Sequence, residues 1–125
     1  MKTQNLNEPF ANLTLELRRG VLPLAVLSML RDNKYGYALI AELSGLGIDI
    51  DQGTLYPMLR RLEGQGLLES SWILEGTRPR RYYKISAVGS QVLASLSEDW
   101  KNLNLVMENL LGLVPNKNGG KNELD

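Results

Sequence analysis

Hydrophobic positions recur along most of this chain with a helical period, which gives way in one stretch to the pattern of strands. After a polar run over residues 1–7, read as a flexible N-terminus, Phe10, Leu13 and Leu17 within 8–19 repeat at helical spacing. Gly20 breaks the pattern, and a second helix is predicted over about 22–31. Pro23 would sit in its first turn, where an N–H has no intrahelical partner. Leu24, Leu27, Met29 and Leu30 leave that helix few exposed positions. Asp32-Asn33-Lys34 reads as a turn, 37–46 as a short helix with Leu39, Ile40 and Leu43 inward, and 48–51 as an extended linker. Asp51 is placed to cap a further helix, which turns Leu55, Leu59 and Leu62 inward and ends at Gly64-Gln65-Gly66.

The period then changes. Residues 67–74 and 81–85 are β-like runs flanking the polar loop Glu75-Gly76-Thr77-Arg78-Pro79-Arg80, the pattern of a hairpin. A last helix starts near Ala87 and carries Leu93, Leu96, Trp100, Leu103, Met107, Leu110 and Val114, alternating steps of three and four. Such a heptad seam needs a partner, either the chain's own N-terminal helix or a second chain. The fold expected is α+β, mainly α with a small β-hairpin. It is a winged helix-turn-helix with an N-terminal helix and a long C-terminal dimerisation helix. Its parts are the flexible 1–7, a DNA-binding domain over 8–86, the dimerisation helix over 87–114 and a disordered tail over 115–125.

Composition narrows the chemistry. The 125 residues are 43% hydrophobic, enough for a modest core, and include neither Cys nor His. Disulfides and thiolate metal sites are therefore excluded, and the commonest general base and zinc ligand is missing. There is no phosphate loop and no nucleophile elbow. Asp49-x-Asp51-x-Gly53 suggests a calcium loop, but its glycine falls one register early and Arg60 stands where a bidentate Glu is needed. The chain is expected to be no enzyme and to hold no cofactor and no metal. The longest apolar stretch is too short to span a membrane, and the N-terminus lacks the build of a signal peptide, so a soluble cytoplasmic protein is expected.

The formal net charge is zero, yet the charges are unevenly placed. Over 52–84, Arg60, Arg61, Arg78, Arg80, Arg81 and Lys84 stand against Glu63, Glu69 and Glu75, so this stretch is positive and the remainder negative. On a helix whose leucines face inward, Gln52, Thr54, Tyr56, Pro57, Arg60 and Arg61 occupy the outer arc. Arg and Gln there suit guanine and adenine edges in a major groove. Clustering Arg78, Arg80 and Arg81 at a loop tip costs stability unless a polyanion neutralises them. Strand alternation puts Arg80, Tyr82 and Lys84 on one face and Tyr83 with Ile85 on the other, which assigns Tyr83 to the core. Gln52, Thr54, Tyr56 and Arg60 are the candidate base contacts. Tyr37, Arg61, Arg78, Arg80, Arg81 and Lys84 are the candidate phosphate or minor-groove contacts. Leu93, Leu96, Trp100, Leu103, Met107 and Leu110 are the candidate dimer interface, with Phe10, Leu13 and Leu17 assisting.

Tyr35-Gly36-Tyr37, Gly53-Thr54-Leu55-Tyr56-Pro57 with Arg61-Leu62-Glu63, Gly66-Leu67-Leu68, and Arg78-Pro79-Arg80-Arg81-Tyr82-Tyr83 with Gly89 together resemble the PadR family of winged-helix regulators, over roughly residues 20–111. The chain departs from the family where Tyr35 replaces a frequent His, where Thr77 replaces a second Gly, and where Ser86-Ala87-Val88 replaces Thr and an acidic pair. The resemblance implies a homodimeric repressor that binds a pseudo-palindromic operator in double-stranded DNA and is released by a small molecule or stress signal. It also implies a candidate effector pocket for a small apolar or aromatic molecule, with Trp100 and Trp72 as its aromatic residues. The competing expectation is a winged-helix protein-interaction module that never touches DNA. The basic helix and basic wing together argue against it.

Overall fold

Leucines on three helices assemble the core. Leu22, Val26 and Leu27 of α1 (Asn7–Met29), with Leu30 just beyond it, are buried. So are Leu39 and Leu43 of α2 (Gly36–Gly45), and Leu55, Met58, Leu59 and Leu62 of α3 (Gln52–Gly64). Each fully buried leucine contributes about 1.5–3 kcal/mol relative to exposure. Strands β2 (Leu68–Glu75) and β3 (Arg78–Ile85) form the hairpin, and helix α4 (Ala87–Leu111) follows. Leu68, Tyr83, Ile85 and Leu93 complete the core. This computed structural model describes residues 6–113. Apart from Leu6 and Asn7, the N-terminal run expected to be flexible lies outside the described residues, as do Val114 and the tail expected over 115–125.

The two expected N-terminal helices are one. α1 runs unbroken through Gly20 and Pro23, because extending an existing helix needs no new nucleus and burial of Leu22, Val26 and Leu27 fixes its second half. Pro23 therefore sits inside the helix, not in its first turn. Phe10, Leu13 and Leu17 on its first half are exposed, together with Leu6.

Backbone geometry closes the middle helices. Asp51 caps α3 as expected, its carboxylate accepting from the Thr54 N–H at 2.8 Å. Both α2 and α3 end in paired bonds across a left-handed glycine. Ile48 and Gly47 donate to the Leu43 and Ser44 carbonyls, and Leu67 and Gly66 to those of Leu62 and Glu63. Gly47 and Gly66 supply the positive φ that this termination requires. Met58, absent from the expected inward set, is buried beside Leu55 and Leu62, so the apolar arc of α3 is wider than its leucines alone suggest.

The sheet is larger than the expected hairpin. Its order is β1-β3-β2, with β1 (Lys34–Tyr35) pairing antiparallel to Tyr83 and Tyr82 where a turn is expected from Asp32-Asn33-Lys34. The pairing Glu75↔Arg78 leaves only Gly76 and Thr77 in the turn, so Arg78, Pro79 and Arg80 belong to β3 and not to a loop. Pro79 lies where β3 has a neighbour on one side only, a setting in which sheets tolerate proline. Tyr83 is buried as expected, while Tyr82 is half-buried because Tyr35 of β1 lies against it.

Ser86 joins the hairpin to α4. Its N–H donates to the Leu67 carbonyl and its hydroxyl to that of Gly66, while Oγ accepts from the Gly89 N–H at 2.9 Å as a helix cap. The chain divides into two units, ending at Leu93 and beginning at Ala94, with α4 contributing to both. Leu93, expected at the head of the dimer seam, is already buried in its own unit. Leu96 is half-buried, and Trp100, Leu103, Met107 and Leu110 are exposed.

Gly89 packs so closely that a Cβ there would overlap the Leu67 carbonyl and press on Ile85. Gly89→Ala is therefore expected to destabilise the protein by about 1–3 kcal/mol. Urea unfolding at fixed protein concentration should show a lower midpoint with an unchanged slope. An unchanged midpoint would contradict this packing.

Candidate nucleic-acid interface

The rotation of α3 decides which side chains meet solvent. At about 100° per residue, the buried Leu55, Met58, Leu59 and Leu62 fill one arc, and Arg60 falls opposite its middle. Thr54 and Arg61 flank Arg60 on one side, Gln52 and Tyr56 on the other. All are exposed except Tyr56, which is half-buried. Its ring lies against the start of α2, so close to Gly36 that a Cβ there would collide with it. Gly36 thus lets the two helices bring Tyr56 beside Tyr37, which is 63% exposed.

The hairpin completes a cleft of about 580 Å³ whose walls include Tyr37, Tyr56, Arg60, Trp72, Arg78 and Arg80. Aromatic rings and guanidinium groups both line it, a surface suited to anions and flat rings. Trp72 is 66% exposed at this cleft. Trp100, the other residue of the expected effector pocket, stands on α4 and is not part of this lining.

The basic side chains fall into two groups. Arg60, Arg61, Arg78 and Lys84 are exposed and make no hydrogen bond or ion pair among the described residues. Arg80 is half-buried, its guanidinium 4.3 Å from the centre of the Tyr35 ring and its Nε 3.6 Å from Glu75 Oε1. Tyr82 donates its hydroxyl to the other oxygen of Glu75 and meets Tyr35 edge-on at 5.3 Å. That hydrogen bond holds the Tyr82 hydroxyl above the ordinary tyrosine value, and burial does the same for Tyr83. Arg81 is engaged by Glu63 at 3.2 Å and by Ser70 at 3.1 Å.

The acidic partners Glu63 and Glu75 escape a reading by sequence, in which they count only as charges offsetting the arginines. Glu63 is 18 positions from Arg81, and no local spacing joins them. Only the strand register opposite α3 does so. Among the described residues, no cluster of side chains is suited to a metal ion and no helix is long and apolar enough to cross a membrane.

Known proteins resemble this chain in sequence and fold. The profile of the transcriptional regulator PadR-like family matches residues 26–95. Transcriptional regulator Rv3488 of Mycobacterium tuberculosis is 38% identical over 98 residues, which cover 78% of this chain and 89% of that protein. The crystal structure of a PadR family transcriptional regulator from Eggerthella lenta has 44% identity and a TM-score of 0.80, covering 85% of this chain and 95% of its own. A PadR-like transcriptional regulator from Bacillus cereus has 27% identity and a TM-score of 0.71, covering 77% of this chain and 96% of its own. With more than half of its residues inside the family profile and its winged-helix fold shared with these structures, this chain belongs to the PadR-like family of transcriptional regulators.

Proposed function

We propose that this DNA-binding regulator is a homodimeric repressor of a pseudo-palindromic operator, released in the cytoplasm by a small-molecule or stress signal. The observation that carries the DNA reading is the set of unpartnered cations Arg60, Arg61, Arg78 and Lys84 on α3 and the hairpin. Exposed like charges repel one another, and neutralising phosphates with release of condensed counterions offsets that cost. Membership in a family of transcriptional regulators favours this reading over a protein-interaction module.

In this arrangement α3 enters the major groove. Gln52, Thr54, Tyr56 and Arg60 reach base edges, while Tyr37, Arg61, Arg78, Arg80 and Lys84 hold the backbone. A second copy covers the apolar seam of Leu96, Trp100, Leu103, Met107 and Leu110, and the exposure of the last four on a single chain favours an interface, with Phe10, Leu13 and Leu17 of α1 contributing. Trp100 in that seam offers a flat apolar effector a stacking surface. Trp72 offers one at the DNA-facing cleft.

Selection from random duplexes should recover an inverted repeat with half-sites about one helical turn apart. Arg60→Ala should cost about 1–3 kcal/mol of binding and relax the preference at one position of each half-site. Equal losses on operator and random duplex would contradict the base-reading role. Leu103→Asp should yield monomers in analytical ultracentrifugation, because it buries an unpaired carboxylate in the seam. An unchanged dimer mass would refute the interface.

A further inference from the structure

Arg81 differs from the other basic side chains in being tied back to the recognition helix. Its Nη2 lies 3.2 Å from Glu63 Oε1, its Nε donates to Ser70 Oγ at 3.1 Å, and Ser70 Oγ donates to Glu63 Oε2 at 2.6 Å. The three side chains form a closed ring across the last turn of α3, β2 and β3. The guanidinium also lies 5.6 Å from the centre of the Tyr83 ring and 5.9 Å from that of Trp72. Apolar burial secures only the base of the hairpin, at Leu68, Tyr83 and Ile85, whereas Trp72, Ile73 and Leu74 are exposed. Among the described residues, this ring holds the only side-chain hydrogen bonds and ion pair that join α3 to the hairpin.

We propose that Glu63, Ser70 and Arg81 are positioning residues that set the wing against the recognition helix, and that Arg81 acts through α3 and not as a phosphate ligand. Glu63 is a carboxylate on the helix that faces a polyanion. By long-range electrostatics alone its removal strengthens DNA binding. A positioning role predicts the opposite sign for the operator, because helix and wing must then engage the duplex together and a misplacement of about an ångström is costly. The inference rests on the DNA-binding reading above.

The test is equilibrium binding of the full chain and its variants to operator and to random duplex over a series of salt concentrations. Glu63→Ala should weaken operator binding roughly three- to tenfold, leave random-duplex binding equal or stronger, and keep the salt slope unchanged. Glu63→Gln should restore most of the loss, since its amide can still accept from Arg81 and donate to Ser70. Arg81→Lys keeps the charge but cannot bridge both partners, and should weaken operator binding at constant slope. Equal or tighter operator binding by Glu63→Ala would overturn the proposal. So would wild-type operator affinity for Arg81→Lys, or a slope reduced by about 0.9 in Arg81→Ala, the mark of a lost phosphate contact. Should Glu63→Ala fail to fold, the Arg81 variants decide. A wild-type chain that discriminates no sequence is a different outcome, and overturns the DNA-binding reading itself.

Discussion

Burial of Leu55, Met58, Leu59 and Leu62 fixes the rotation of α3 about its own axis, and the functional surface depends on that one constraint. A turn of one residue, about 100°, would carry Arg60 toward the core and a leucine into water. With the stripe buried and α3 packed against α2 and β2, Arg60 faces solvent. The Asp51 cap and the Gly66 termination fix where the helix starts and stops. The hairpin follows from there, because Leu67 leaves α3 through that glycine and enters β2 directly.

Charge is arranged by pairing rather than by number. The chain is formally neutral, and two acids in its basic stretch are spent internally. Glu75 holds Arg80 and Tyr82 against Tyr35, and Glu63 holds Arg81 and Ser70. Each pair is partly exposed and so worth little in stability alone. What the pairs do is orient. Of the cations left over, Arg60 and Arg78 line the cleft with aromatic walls between α3 and the hairpin, and Arg61 and Lys84 lie outside its lining.

Much of this was legible because the relevant signals are local. The Asp51 cap, the leucine stripe of α3, the change of period at the hairpin and the burial of Tyr83 all follow from spacing over a few residues. Where the outcome depends on distant residues, spacing was silent. Gly20 reads as a helix break and Pro23 as the first turn of a second helix, and only the burial of Leu22, Val26 and Leu27 shows why α1 continues through both. β1 has just two residues and exists because β3 offers it a free edge. The Glu63–Arg81 pair depends on hairpin register, which a two-residue turn fixes and a six-residue loop would not. Trp100 and Trp72, grouped by residue type and resemblance, stand on different elements, Trp72 on β2 and Trp100 on α4.

The central claim is that α3 and the hairpin together recognise a particular duplex. Binding of the wild-type chain to the DNA upstream of its own gene, at low and moderate salt with random duplex as competitor, tests it most directly. The account predicts a complex that weakens with salt yet survives excess competitor. A complex that random duplex removes as readily as the upstream sequence itself, or no complex at low salt, would contradict it.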